Sequence, residues 1–160
     1  MRSSYHILPE CYADTLLVSI LGFKGANHKS SIGQVAIAME RNYKNQLAIG
    51  LVDNDKVQPR YFKQFEVLKD ENDLFLKQNP KNKHYLIVVS PAFEKWTFSA
   101  AEAVNIDPAE YGFKSLKYFK AVCKSANVSK NQNVKQFINT IKQKKSPHTE
   151  TMINWLLELL

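Results

Sequence analysis

An uncharged apolar run from Leu47 to Val52 stops abruptly at Asp53-Asn54-Asp55-Lys56. Such a run reads as a buried strand feeding a loop. Open α/β sheets bind ligands beyond the carboxyl ends of their strands. If extended geometry continues past the strand, Asp53 and Asp55 share one side and can both face a cation. A polar turn is the alternative, because Asp and Asn favour turns for their own reasons. A second acidic pair follows an earlier apolar segment, Tyr5 to Pro9, where Glu10 and Asp14 are four residues apart. A helix beginning near Glu10 and stopping at Gly22 would place both on one face, in a position where acids also complement the helix dipole. A third carboxylate, Glu94, follows His84-Tyr85-Leu86-Ile87-Val88-Val89-Ser90, the strongest strand pattern in the chain. Pro91 there suits the first turn of the next helix. Three strand ends that each deliver carboxylate would crowd like charges unless a cation or protons compensate.

The order of these motifs resembles the Toprim domain: Glu10 after a first strand, Asp53-Asn54-Asp55 after a later one, and Glu94 after the next. The phrase Phe93-Glu94-Lys95-Trp96 and the acid four residues beyond Glu10 are closest to the Toprim variant of OLD-family nucleases. The resemblance covers roughly residues 1–100, a size that suits one compact domain. It implies a compact α/β fold with a mainly parallel sheet flanked by helices, a divalent metal and phosphodiester chemistry on nucleic acid. The family commonly has Gly after its first Glu, where this chain has Cys11. No Gly-rich loop of the P-loop type is present, so any ATPase would be a separate protein partner.

The elements that must position these groups fit a 160-residue chain. We divide it into a Toprim-like α/β domain, residues 1–105, and a basic helical extension packed on it, residues 106–160. Hydrophobic content of 44% and charged content of 23% are ordinary for a globular protein. No secretory leader pattern opens the chain and no apolar run is long enough to span a bilayer, so a cytoplasmic location is expected. Cys11 and Cys123 do not form a disulfide framework. Cys11 as a nucleophile would need a positioned base, and His6 is the nearest in sequence. A helix is expected after His28-Lys29-Ser30-Ser31, running through Val35, Ile37, Ala38 and Met39 to about Tyr43. Residues 65–69 alternate like a short strand, and Asp70-Glu71-Asn72-Asp73 reads as an acidic loop whose spacing matches no calcium loop. Trp96 and Phe98 are expected in the core rather than stacked on bases.

The formal net charge is +7, and no acidic residue occurs between Tyr111 and Thr149. Lys114, Lys117, Lys120 and Lys124 recur at helical spacing with Leu116, Phe119 and Val122 between them. A second helix is expected over about 131–144, and a third from Ser146-Pro147, with Glu150 near capping-box spacing. A cationic face of this kind attracts polyanions, and it also keeps a surface solvated. With only Arg2, Arg41 and Arg60 in the chain, backbone contact with little base readout is expected. Lys114, Lys117, Lys120, Lys124, Lys142, Lys144 and Lys145 are the candidate nucleic-acid contacts.

The resulting expectation is a Mg²⁺- or Mn²⁺-dependent protein that acts on or binds nucleic acid, with phosphodiester cleavage as the reaction. Glu10, Asp53 and Asp55 would hold one ion, while Asp14 and Glu94 would complete a second position or orient water. Oxygen donors without a His/Cys set suit these metals rather than zinc. Glu10 and Lys56 are the candidate catalytic residues, with Lys56 neutralising developing phosphate charge. One alternative is a non-catalytic nucleic-acid or protein binding module, from a defence or mobile-element system, with a degenerate acidic site. Another, a phospho-acceptor receiver domain, fails on motif order, because its paired acids follow the first strand.

Overall fold

The computed structural model describes residues 2–160. In chain order its elements are β1 (Arg2–Ser3), β2 (Ile7–Pro9), α1 (Tyr12–Ile20), β3 (Phe23–Lys24), α2 (Ile32–Arg41) and β4 (Ala48–Asp53). There follow β5 (Glu66–Glu71), β6 (Leu74–Gln78), β7 (His84–Val89) and α3 (Phe93–Glu102), then α4 (Leu116–Cys123), α5 (Gln132–Gln143) and α6 (Pro147–Leu159). β1 and β3 form a short parallel pair, and the other five strands form one sheet in the order β2-β4-β7-β6-β5.

The fold is α/β, with helices on both faces of that sheet. Strand alternation sends successive side chains to opposite faces. Ile7, Ile49, Leu51, Ile87 and Val89 join α1, α3, α4, α5 and α6 in the larger core. Leu8, Ala48, Val52, Leu86 and Val88 pack with α2 and with Phe62 and Phe65 on the other face. Residues from both 1–105 and 106–160 share the larger core, where Phe93, Phe113, Phe119 and Phe137 meet ring to ring. Trp96 is buried and Phe98 packs against the same core. Among the described residues no helix is long and apolar enough to cross a membrane.

The sheet is mixed rather than mainly parallel. β2, β4 and β7 are parallel neighbours, but β6 runs antiparallel to β7 and β5 antiparallel to β6. The sequence pattern predicts an acidic loop at 70–73. Asp70 and Glu71 instead end β5, and Asn72 and Asp73, with φ of 50° and 58°, make a two-residue hairpin turn. α6 holds that turn: Asn72 Nδ2 donates to Thr151 Oγ1 at 2.8 Å, and His148 Nε2 lies 3.0 Å from Asp73 Oδ2.

Gly50 sets how closely α2 approaches the sheet. A Cβ there would lie 2.7 Å from Leu86 Cδ2 and 3.0 Å from Val35 Cγ1, both in the interior. Gly50→Val is therefore expected to lower unfolding stability by about 1–3 kcal/mol, the usual cost of overpacking. Chemical denaturation measures it, and unchanged stability would mean that α2 can retreat.

Candidate metal centre

The register of the three parallel strands brings their carboxyl ends level. Pro9 pairs with Leu51, and Asp53 pairs with Val89. Glu10 follows β2 directly, Asp53 is the last residue of β4, and Glu94 lies in the first turn of α3 beyond β7. α1 begins at Tyr12 rather than at Glu10, with Cys11 in extended conformation as its N-cap. The Cys11 side chain accepts the Asp14 N–H at 3.4 Å, so a sulfur does the capping usually done by a side-chain oxygen. α3 likewise begins at Phe93 after Ala92, which leaves Pro91 outside its first turn.

Asp14 nevertheless meets Glu10, because the strand end and the first turn of α1 converge. One carboxylate oxygen each from Glu10, Asp14 and Asp53 lies within 4.8 Å of the others. Asp14 is fully buried, Glu10 is 4% exposed and Asp53 7%. Each is held by a neighbour while other oxygens stay available. Glu10 Oε1 accepts the Asp53 N–H at 2.9 Å, and Asp53 Oδ1 accepts the Phe93 N–H at 3.0 Å from the start of α3. Asp14 Oδ2 accepts the Cys11 S–H at 3.1 Å. Asp14 Oδ1 is buried with no hydrogen-bond partner. An orphaned buried carboxylate oxygen is costly unless a proton or a cation completes it.

The acidities follow from that crowding. Burial, followed by the charges of Asp53 and Glu10, pushes Asp14 well above the ordinary carboxylate range. Burial also pushes Asp53 up to about 8, helped by Glu10 and Glu94 and opposed by the Phe93 N–H. Glu10 is raised by burial, against the lowering effect of the Asp53 N–H and Lys56. Burial and then Asp14 push the Cys11 thiol up, so Cys11 is a thiol donor rather than a nucleophile. His6 is engaged elsewhere, its Nδ1 lying 2.7 Å from Leu47 O.

A cleft of about 480 Å³ opens over the cluster. Glu10, Asp53, Asp55 and Glu94 line it, with Asp14 behind them. Asp55, unlike Asp53, is exposed, and its N–H donates to Pro91 O at 2.9 Å. Lys56, Lys120 and Lys124 bring positive charge to the same cleft. The Lys69–Glu158 ion pair and the His148–Asp73 contact lie elsewhere. The other cationic candidates are dispersed. Lys114, Lys117, Lys144 and Lys145 are exposed and do not line the cleft. Lys142 donates to Ile20 O at 2.9 Å and so serves the carboxyl end of α1. Ser146, expected as a capping side chain, instead donates to Ala100 O at 2.7 Å.

Tyr12, His28 and Ser30 also line the cleft and carry no signal in the sequence. His28 and Ser30 lie far along the chain from the strand ends that carry the acids, and no motif spacing joins Tyr12 to His28. No family model matches the chain, and neither a curated protein nor a solved structure matches it.

Proposed function

We propose that the chain is a Toprim-like, Mg²⁺- or Mn²⁺-dependent protein that cleaves phosphodiester bonds in nucleic acid. The observation that carries this reading is the meeting of Glu10, Asp14 and Asp53 within 4.8 Å, with Asp14 Oδ1 buried and unpartnered. The cluster lies at the carboxyl ends of adjacent parallel strands, where the resemblance in motif order puts a metal. Three hard oxygen donors fit Mg²⁺ or Mn²⁺. Glu10, Asp14 and Asp53 would hold one ion, and Asp55 and Glu94 stand beside them in the cleft for a second. A pair of such ions would supply an activated water and stabilise the leaving oxygen of an in-line displacement.

The chain's own residues do the rest. The α3 amide bound to Asp53 and the Cys11 thiol bound to Asp14 fix the two carboxylates against rotation. Lys56 neutralises charge that develops on the phosphate, and Lys120 and Lys124, which line the same cleft, hold the backbone. Few arginines and no bidentate fork at the cleft favour recognition of backbone over base edges.

The test is cleavage of labelled single- and double-stranded DNA and RNA in Mn²⁺. Wild type is expected to cut at least one of them, and Glu10→Gln to fall by a hundredfold or more. If Glu10→Gln cleaves as wild type does, the catalytic reading is overturned. Cation binding without cleavage of any of these substrates would favour the non-catalytic binding module.

A further inference from the structure

The acids account for only part of the cleft lining. The cleft lining also carries two stacked rings, Tyr12 and His28, with centroids 4.3 Å apart and an interplanar angle of 19°. Tyr12 is the first residue of α1, two positions beyond Glu10, yet it stays 47% exposed. Its stacking partner is locked in turn. Thr15 Oγ1 gives its only proton to Cys11 O at 2.8 Å, so His28 Nδ1 must be the donor to Thr15 Oγ1 at 3.0 Å. A ring held on one face and open to the cleft is a preorganised surface, which loses little freedom when a third ring joins the stack.

We infer that Tyr12, backed by His28, stacks an unpaired nucleobase, so that the substrate enters the cleft as a single strand or an unpaired end. This rests on the nucleic-acid reading above and names its substrate class. The chemistry of the shared lining agrees. Lys120 and Lys124 offer charge for a phosphate backbone, and the ring pair offers a π-face, the combination by which proteins hold single strands without reading sequence. A fully paired duplex keeps its bases inside the stack and gains nothing from the tyrosine.

The probes are short fluorescent oligothymidine and oligouridine strands and a blunt DNA duplex. Anisotropy is read once with Ca²⁺ and once with chelator. Wild type is expected to prefer single strands to the duplex. Tyr12→Leu is expected to lose roughly tenfold or more in single-strand affinity, the usual effect of removing one base–aromatic stack, while Tyr12→Phe retains it. Abasic substitution along the strand supplies a readout that a structural role would not move. At one position it should weaken wild type about tenfold and leave Tyr12→Leu unaffected. The DNA and RNA arms show which polymer supplies the base. Equal affinities for wild type and Tyr12→Leu, no abasic coupling, or no single-strand binding would each overturn the inference. Coupling that persists in chelator, in a protein that binds no Mn²⁺, would uphold the stack while removing the metal reading.

Discussion

Without divalent metal, the folded protein loses stability as pH rises from about 5 to about 8.5, the reverse of ordinary acid denaturation. The cause is the buried carboxylate cluster. Asp53 ionises near its ordinary 3.8 when unfolded and at about 8 when folded, and Asp14 and Glu10 shift in the same direction. Between those limits the folded form holds more protons than the unfolded form, so unfolding becomes easier with each step upward in pH. The stabilising effect is complete below the unfolded value and is lost as pH passes through the folded one. Each unit of separation is about 1.4 kcal/mol, and relaxation around the cluster leaves on the order of 3 kcal/mol across this window. For a chain of this length that is roughly a 6–12 °C fall in Tm. Mn²⁺ at about a hundred times its Kd would return about 2.7 kcal/mol and flatten the profile. Thermal melts in chelator across the pH range check this. A Tm that stays level or rises from pH 5 to 8.5 would mean that the three acids do not crowd.

Asp53→Asn is expected to separate stability from binding. The amide oxygen can still accept the Phe93 N–H, so the link between β4 and α3 survives. A neutral group replaces one that must ionise beside Glu10 and Asp14, so the metal-free variant at pH 8 gains about 1–3 kcal/mol over wild type. Metal affinity moves the opposite way and falls by at least about a hundredfold, beyond the range seen when only a supporting group is lost. Denaturant melts and calorimetric Mn²⁺ titration read the two effects on the same preparation. A variant both less stable and unchanged in Mn²⁺ binding would recast Asp53 as a structural cap for α3. Opposite signs are the signature of a site held together against its own electrostatics.

The strands that place the acids were legible because they are short, uncharged and apolar on both faces, as central parallel strands must be. Residues 84–90 and 47–52 announced β7 and β4, and with them Asp53 and Glu94. Asp14 was reached through spacing, but by the wrong geometry. A helix from Glu10 would have put both acids on one face, whereas Cys11 caps a helix that begins at Tyr12, two residues later, and Glu10 stays at the strand end. Sulfur is a rare cap, and nothing in the local sequence marks it as one. β6 was missed because its hairpin turn is Asn72-Asp73, without the glycine that makes such turns recognisable. The mainly parallel sheet was implied by the Toprim resemblance, and the antiparallel β6 and β5 make it mixed.

The lysine-rich stretch was legible as amphipathic helices but not as a surface. α4 brings Lys120 and Lys124 to the cleft that the acids line, while Phe119 and Cys123 of the same helix are buried. Lys142 is a candidate nucleic-acid contact in the sequence, yet tertiary packing gives its ammonium to a carbonyl of α1. The stacked pair of Tyr12 and His28 depends on the loop after β3 returning past α1, a long-range fact that periodicity does not encode.

Anomalous diffraction from crystals grown with Mn²⁺ near pH 8 tests the central claim most directly. The account predicts a peak bonded to Glu10, Asp14 and Asp53, with oxygens at about 2.1–2.3 Å and Asp14 Oδ1 among them. Ordered carboxylates with no peak between them, at Mn²⁺ well above millimolar, would contradict it.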